Sequence, residues 1–277
     1  MVTQAQLENA ILMHNLTDKV VILHSAYGSF GGVEGGPNTI IDCFLRSGCT
    51  LVVPTFTYDN DAYPPKQGDE YLQNGMQLSS YTRALQGLTD SFQINSQQIS
   101  RAMGVLPKVV LAHSKRVRGV HPVNSFTALG PKAKEIMAQQ TLLNVYGPYE
   151  LCYQQEDAVL LLMGIDFTGV TPIHFAEQLA GRTLFRAWAN MQNTDNQREV
   201  VEVSIGACSS GFNRLQDSVQ HLAETTMVGN SLWRSYGFNS FIDTLTEQIK
   251  QSPEITHCPD IQCIRCHDAI LGGPIIN

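Results

Sequence analysis

The segment that most constrains the fold lies near the N-terminus, where a strand, a glycine-rich loop, a helix and a second strand follow one another. Residues 20–23 form an apolar, mostly β-branched run, which is typical of a strand buried in a parallel sheet. The loop at 24–36 contains five glycines, and the helical pattern at 38–46 ends before Gly48, a common helix terminator. A second apolar run, at 51–53, completes the unit. Two strands joined in this way are expected to be parallel, with a right-handed crossover between them.

The rest of the chain extends this alternation of strands and helices. Residues 158–163 form a third apolar run and predict another buried strand, and residues 172–179 predict a helix that Gly181 closes. Residues 199–205 alternate between apolar and polar side chains, which indicates a strand with one wet face. Further helical patterns occupy residues 4–16, 95–111, 217–226 and 241–250. We therefore predict an α/β fold in three layers, with a mixed, mostly parallel sheet and helices on both of its faces.

The composition limits the class of protein. The 277 residues are 43% hydrophobic, and no linker, repeat or low-complexity tract divides them, so we expect a single domain over residues 1–277 with a cysteine-rich tail at 257–277. No apolar run approaches the roughly 20 residues of a membrane helix, and the N-terminus lacks the pattern of a signal peptide. A membrane is therefore not an expected partner, and the cytoplasm is the simplest location. The net charge of −7 disfavours nucleic acid as a partner. The sequence is compatible with a homodimer.

Residues 171–177, Thr-Pro-Ile-His-Phe-Ala-Glu, combine a helix start with two groups suited to acid–base chemistry. Thr171 is a good N-cap and Pro172 is favoured in the first turn, so His174 follows in that turn and Glu177 shares its face three residues later. The positive end of the helix favours a neutral imidazole, and the carboxylate stabilises the imidazolium once it has formed. This pattern is typical of a general base, which an attacking amine requires. An ordinary pair at i and i+3 near a helix start gives the same pattern without a function.

The glycine-rich loop follows the end of a strand, where ligands gather in parallel sheets. His24 and Ser25 end the first strand, and Thr57 follows the second. The glycine spacing fits neither the dinucleotide-binding motif nor a phosphate-binding loop with Gly-Lys-Ser/Thr. Nucleotide hydrolysis and a dinucleotide fold are therefore disfavoured, and a tight structural turn is the other explanation of the glycines.

Several blocks of the sequence together resemble one known family. Residues 24–36 resemble the first signature of the aminoglycoside 3-N-acetyltransferases, also called antibiotic N-acetyltransferases. Residues that resemble the later blocks follow in the family's order, at 51–57, 101–104, 118–125, 161–164 and 171–177. The C-terminal hundred residues match only loosely.

This resemblance implies an antibiotic N-acetyltransferase-like fold, distinct from the histone-acetyltransferase type, and direct transfer from acetyl-CoA to an amine without a covalent acyl-enzyme. It implies that His174 is the base and that Glu177 orients it. It also implies three groups of coenzyme-binding residues. The residues that line the coenzyme arm are Ser25, Ser29, Gly31 and Val33. Those near the pantetheine and thioester are His121 and Ser125, and His24 supports the same region. Without the resemblance, His121 is better explained as a turn residue before Pro122.

The sequence departs from the family pattern at three positions. Ala26 replaces the second serine of the usual His-Ser-Ser, and Gly119 replaces the serine after Arg118. Tyr149-Glu150-Leu151 stands where the family usually has Ser-Pro and an apolar residue. The first two departures concern contacts with the coenzyme or the acyl chain. The third leaves the identity of the acceptor undetermined.

An acidic segment follows the second strand. Only Lys66 opposes the acidic residues Asp59, Asp61, Asp69 and Glu70, which lie within twelve residues of one another. If this segment borders the site, it would attract a polyamine such as an aminoglycoside. Candidate substrate-binding residues are therefore Thr57, Asp59 and Asp61, and a solvated loop rich in turn-forming residues is the alternative.

Three cysteines near the C-terminus have the spacing of metal ligands. Cys258, Cys263 and Cys266 form a C-x4-C-x2-C pattern, and Cys208 is the candidate fourth ligand of a zinc site. The same spacing occurs in plant-type iron–sulfur proteins, but no further cysteine follows before Asn277. A closed set of four ligands would make the zinc structural, and reduced thiols in a loop are the alternative.

These patterns predict an acetyl-CoA-dependent N-acetyltransferase acting on an amine of an aminoglycoside-like substrate, an activity associated with antibiotic resistance. The expected partners are a small-molecule amine and an acyl-CoA. One alternative is an N-acyltransferase of a natural-product pathway with another acyl donor or acceptor. A non-catalytic binding protein is the other.

Overall fold

The computed structural model of the chain describes residues 1–62, 90–155 and 157–271. Its strands are β1 (Val20–Ser25), β2 (Thr50–Pro54), β3 (Val117–Arg118), β4 (Phe126–Leu129), β5 (Ala158–Met163), β6 (Phe185–Gln192), β7 (Arg198–Ile205), β8 (Glu224–Val228) and β9 (Ser231–Gly237). Its α-helices are α1 (Gln4–Met13), α2 (Pro37–Arg46), α3 (Val105–Ala112), α4 (Ala133–Met137), α5 (Gly147–Gln154), α6 (Pro172–Leu179), α7 (Gln216–Val219), α8 (Phe238–Gln251) and α9 (Ile264–Leu271).

Seven of these strands form one sheet, in the order β3-β4-β2-β1-β5-β9-β8. The central strand β1 pairs in parallel with β2 and β5, with Val20 opposite Thr50 on one side and Ala158 on the other. The outer pairings are antiparallel. Strands β4 and β9 therefore run opposite to β1, β2 and β5. Because β3 is antiparallel to β4 and β8 is antiparallel to β9, both run in the same direction as the three central strands. The predicted mixed, mostly parallel sheet is confirmed.

Side chains alternate across the sheet between two separate cores. Val20 and Ile22 of β1 point into one core, whereas Val21 and Leu23 point into the other. Helices α4, α5, α6 and α8 cover the first face, and α1, α2 and α3 cover the second. Each face is buried because β1, β2 and β5 are apolar on both sides. The predicted three-layer arrangement is therefore confirmed.

Two predicted helices are wrong in their bounds. Residues 97–100 are irregular and Arg101–Met103 form a 3-10 turn. The helix begins only at Val105, because Pro107 fits the first turn, where its missing N–H is not needed. The helical pattern at 217–226 yields the short helix α7, after which the chain enters β8 and pairs with β9. Tertiary pairing overrides local helical periodicity there.

Strands β6 and β7 form a hairpin outside the main sheet. Val203 and Phe185 of the hairpin pack with Val123 and with Ala269 of α9. The imidazole of His121 reinforces this contact, because its Nε2 lies 2.8 Å from the carbonyl oxygen of Ser204. The hairpin thus brings the residues after β7, together with the cysteine-rich tail, to the carboxyl ends of the parallel strands. Within the described ranges, no helix has the length and apolar character needed to cross a membrane.

Candidate active site

A cleft of about 860 Å³ opens at the carboxyl ends of β1 and β2. His24 and Ser25 line it at the end of β1, and Pro54 lines it at the end of β2. Its other walls include residues 102–104, 123–124 and 205–210, together with Thr168, Gly169, Thr171, Asp61 and Arg265. The location agrees with the expectation that ligands gather at strand ends in open parallel sheets.

His174 borders this cleft from the first turn of α6 and is 9% exposed. Its Nδ1 lies 2.8 Å from Oε2 of Glu177, which is also buried. A carboxylate only accepts hydrogen bonds, so Nδ1 is the donor in this contact, and in the neutral form of the ring the lone pair lies on Nε2. The predicted pairing of imidazole and carboxylate is therefore present at the edge of the cleft.

A second residue fixes the carboxylate from behind. Arg182, just beyond α6, donates from Nη1 to Oε1 of Glu177. The same guanidinium donates to Oγ1 of Thr256 at 2.5 Å and to the carbonyl oxygen of Pro253. Arg182 and Glu177 are both nearly buried, so the ion pair is poorly screened by solvent. The result is a continuous chain of contacts from the C-terminal segment through Arg182 and Glu177 to His174.

The helix start differs from the prediction in one respect. Thr171 was expected to be the N-cap, but its side chain makes no capping hydrogen bond. The chain enters α6 from the 3-10 turn Phe167–Gly169, and Thr171 already has helical dihedral angles of −54° and −34° instead of the extended ones that a cap requires. Thr171 lines the cleft instead.

The imidazole of His174 is held between aromatic rings and a glycine. Tyr146 stacks on it at 6.2 Å between ring centroids, and Phe212 meets it edge-on at 4.8 Å. Gly206, one residue after β7, lies so close that a Cβ atom there would be 2.7 Å from Cγ of His174. Burial raises the pKa of Tyr146 well above its usual range, and the charge of Glu177 adds to this, so its hydroxyl stays protonated. The ring of His174 therefore has little freedom to turn.

His24 and Ser25, two of the predicted coenzyme-binding residues, line the cleft. Burial lowers the pKa of His24 to about 4, although a hydrogen bond to the backbone of Gly169 acts in the opposite direction. Its Nε2 has no hydrogen-bond partner within the described protein. A neutral ring that donates to Gly169 leaves Nε2 as a buried acceptor without a partner.

The predicted coenzyme residues Ser29, Gly31 and Val33 do not line this cleft. The hydroxyl of Ser29 donates to Oγ of Ser231 at 2.8 Å. Gly31 has a φ of 74° and lies against Asn230, and the side chain of Val33 is buried in the core under α1 and α2. The glycines of this loop turn the chain from β1 into α2, and its side chains face the second layer.

The ring of His121 is fully buried and does not line the cleft. Its Nδ1 accepts from the backbone N–H of Asn124 at 2.9 Å, while Nε2 bonds to Ser204, so neither nitrogen is free for a ligand. Burial lowers its pKa to about 4, which keeps this neutral arrangement. These hydrogen bonds make the ring part of the turn at 121–124.

Ser125 is also internal. Its hydroxyl donates to the carbonyl oxygen of Thr55 at 3.0 Å and accepts from Nε of Arg118 at 3.1 Å. The neighbouring Asn124 and Val123 are the residues of this turn that line the cleft. His121 and Ser125 thus hold a turn that presents two other residues to the site.

Of the three candidate substrate-binding residues, only Asp61 lines the cleft. Thr57 is buried and donates to the carbonyl oxygen of Pro122, and Asp59 is exposed and faces away. Burial raises the pKa of Asp61 to about 7, against the opposing effect of Arg265, while Asp59 adds to the rise. Asp69, Glu70 and Lys66 lie outside the described residues.

The four cysteines proposed as metal ligands are brought together. The sulfurs of Cys208, Cys258, Cys263 and Cys266 all lie within 4.8 Å of one another. Cys208 also lines the cleft, as does Arg265, whose Nη2 donates to the carbonyl oxygen of Gly206 at 3.0 Å.

Four further residues of the site were not predicted from the sequence. They reach the site from elements distant in sequence or lie outside helical spacing, and they are Arg265, Arg182, Tyr146 and Gly206.

Comparison with known proteins identifies relatives with similar sequences. A family model described as aminoglycoside 3-N-acetyltransferase matches residues 22–250. Aminoglycoside N(3)-acetyltransferase IX of Micromonospora chalcea is 29% identical over 185 residues, which are 65% of this chain and 63% of the relative. Aminoglycoside N(3)-acetyltransferase III of a Salmonella species is 28% identical over 167 residues, 59% of this chain and 56% of the relative. The matched regions therefore span less than two thirds of either relative.

The fold agrees with solved structures. The apoenzyme of the aminoglycoside acetyltransferase AAC(3)-IVa superposes with a TM-score of 0.75 and 20% identity, covering 98% of each chain. The antibiotic N-acetyltransferase-like fold expected from the sequence is therefore confirmed. Since the family model also covers most of the sequence, the chain belongs to the aminoglycoside 3-N-acetyltransferase family.

Proposed function

We propose that this chain is an acetyl-CoA-dependent N-acetyltransferase that acts on an amine of an aminoglycoside-like acceptor, with His174 as the general base. The observation that carries the proposal is the chain of contacts from Arg182 through Glu177 to His174 at the edge of the cleft. The relatives described above are named as aminoglycoside N(3)-acetyltransferases, which supports the same reaction.

The ring nitrogen that faces the reaction would be Nε2 of His174. An ammonium group has no lone pair, so the acceptor must react as the neutral amine, one proton having been lost to solvent, and its nitrogen must lose a second proton as it attacks the thioester carbonyl. Nε2 takes that proton while Nδ1 keeps its bond to Glu177, and the carboxylate stabilises the resulting imidazolium. The C–N bond forms, the C–S bond breaks, and the proton passes from the imidazolium to the departing thiolate of coenzyme A.

The thioester would lie beside the end of β1. His24 offers an acceptor nitrogen there, suited to an amide N–H of the pantetheine, and Ser25 offers a hydroxyl. Ser29, Gly31 and Val33, expected from the resemblance to contact the coenzyme, would support this wall from behind, and His121 and Ser125 would support the turn at Asn124.

The acceptor would enter beside Asp61. Its carboxyl lies in the cleft, and Oδ1 has no hydrogen-bond partner within the described protein. A protonated amine brought against it would favour the ionised carboxylate, and a charged pair of this kind is a strong, directional contact. An aminoglycoside carries several amines, so one can bind Asp61 while another is acetylated.

A related N-acyltransferase with another acceptor is a second candidate, because Arg265 also lines the cleft. Its positive charge opposes a densely cationic acceptor and suits one with an acidic or neutral polar group nearby. Ala26, which stands where the family usually has a serine, lines the cleft too, so this wall lacks a hydroxyl that an acyl chain or the coenzyme would otherwise meet.

A matrix of acyl-CoAs and amines separates these possibilities. We expect thiol release above background with acetyl-CoA and at least one aminoglycoside, with an amide product identified by mass spectrometry. Turnover only with another amine or acyl chain favours the second candidate. Release of no thiol with any pair, at enzyme concentrations that bind acetyl-CoA, refutes the enzymatic function and leaves a binding protein.

A further inference from the structure

We infer that Cys208, Cys258, Cys263 and Cys266 bind one Zn²⁺ ion, and that this ion holds the wall of the cleft against His174 and its carboxylate. The metal would take no part in the reaction, because four protein ligands leave no open position for substrate. Its role would be to position a catalytic residue from outside the site.

The distances among the sulfurs fit one ion. Four thiolates at about 2.3 Å from a tetrahedral zinc lie about 3.8 Å from one another, and the sulfurs here lie within 4.8 Å. A small inward movement of each side chain completes such a site. Cys258 and Cys266 are buried and Cys208 and Cys263 are half-buried, so the cluster is shielded from solvent as structural zinc sites are.

The ligands come from two segments that the ion would join. Cys208 follows the hairpin strand β7, and the other three lie in the C-terminal segment around the start of α9. The backbone N–H of Cys258 points to the sulfur of Cys266 at 3.4 Å, the kind of contact that stabilises a bound thiolate. An ion bound to both Cys208 and Cys258 would close the loop of the chain between these two positions.

The first segment reaches the catalytic ring directly. Gly206 lies two residues before Cys208, and its backbone packs against the imidazole of His174. Arg265, adjacent to the ligand Cys266, donates to the carbonyl oxygen of Gly206 at 3.0 Å. The position of this wall thus depends on residues next to two of the four ligands.

The second segment reaches the carboxylate. Thr256, two residues before Cys258, accepts a hydrogen bond from Arg182, which in turn donates to Glu177. Gly211 packs against the backbone of Thr256 and the following residue, so the two segments also touch each other. Fixing both segments at one ion would therefore fix the imidazole and the carboxylate relative to each other.

The metal site is tested without any assay of activity. We expect about one zinc per chain by mass spectrometry of the full-length protein purified from zinc-containing medium. Protein loaded with Co²⁺ should give the visible bands of tetrahedral cobalt and the near-ultraviolet thiolate-to-cobalt charge transfer of four sulfurs. Protein that retains no metal after incubation with either ion overturns the proposal, whether its thiols are free or oxidised.

Single variants identify the ligands. Cys208→Ser and Cys263→Ser should each lower the charge-transfer intensity of the cobalt protein by about a quarter, because one of four sulfurs is lost. Cys43→Ser is the matched control, since Cys43 is buried in α2 outside the cluster, and its spectrum should be unchanged. Equal intensities in all three variants contradict the assignment. Should a variant fail to fold, the cobalt spectrum of the unaltered chain still counts its sulfur ligands.

The effect of the metal on the position of His174 can be measured by nuclear magnetic resonance of its imidazole. With ¹⁵N-labelled histidine, the resonances of His174, assigned by comparison with His174→Gln, should shift or broaden when a chelator removes the metal. Those of His14, which bonds to Ser235 of β9, should remain where they are. Unchanged His174 resonances in metal-free, folded protein overturn the positioning role. These readouts are independent of turnover, so failure of the proposed transferase activity would be recognised separately.

Discussion

Replacing Gly206 with alanine should disable the site while the chain stays folded. The added Cβ atom would lie 2.7 Å from Cγ and 2.8 Å from Cδ2 of His174. Ordinary carbon contacts are about 3.5–4.0 Å, so the ring or the loop must move by about 1 Å. A misplacement of about 1 Å in a reacting group can lower a rate about 10²-fold. Crowding in a packed interior typically lowers the free energy of unfolding by about 1–3 kcal/mol.

The assay is steady-state thiol release with the acceptor found in the matrix of substrates, together with thermal unfolding followed by circular dichroism. We expect kcat to fall about 10²-fold in Gly206→Ala. Gly237→Ala is the control, because its Cβ would meet nothing closer than Oγ of Ser240 at 3.8 Å. Wild-type kcat and thermal stability in Gly206→Ala would refute the contact between this loop and the imidazole.

The remaining predictions concern the charged residues of the site. Glu177→Gln should lower kcat about 10²-fold or more, because an amide neither fixes the tautomer of His174 nor stabilises its charged form; an unchanged kcat contradicts this. Arg182→Met leaves the buried carboxylate of Glu177 without its cationic partner and should cost about 3–5 kcal/mol of unfolding free energy, whereas Arg182→Lys should recover part of the loss in denaturant titrations. The pKa of Asp61 is about 7 in the folded protein, which is above its value in the unfolded chain. Between pH 4 and pH 7, roughly, the unfolded chain therefore binds fewer protons at this group than the folded protein does. The free energy of unfolding should consequently fall as pH rises through this range. The ionised form of Asp61 should bind the cationic acceptor, so the acceptor KM should fall as pH rises through about 7. Asp61→Asn should remove both trends, whereas Asp42→Asn, at an exposed position of α2 outside the cleft, should keep them.

The sequence predicted the centre of the fold because the centre is governed by local patterns. Residues 158–163 form a strand with the expected bounds, and the helix at 172–179 also begins and ends as expected. Both faces of β5 are buried, which produces an uninterrupted apolar run of the length of a strand. The outer strands β8 and β9 were missed, because one face of each is wet and their pairing joins partners that periodicity does not reveal.

The site was predictable where it is local. His174 and Glu177 share one helical turn, so their spacing alone gave the pair. Arg182 completes the pair from five residues beyond Glu177, outside helical spacing, and Gly206 reaches the ring from another strand. His121 was assigned to the coenzyme by resemblance, yet its own neighbour Pro122 had indicated a turn, and the hydrogen bonds of its ring agree with that second explanation.

The central claim is that the His174 imidazole removes the proton from the acceptor amine in this cleft. The most direct test compares His174→Ala with the unaltered chain in single-turnover acetyl transfer, with acetyl-CoA affinity measured by calorimetry in parallel. The account predicts that the affinity stays within a few-fold and that the transfer rate falls by about 10²–10⁴. A variant that binds acetyl-CoA and transfers the acetyl group at close to the normal rate would contradict it.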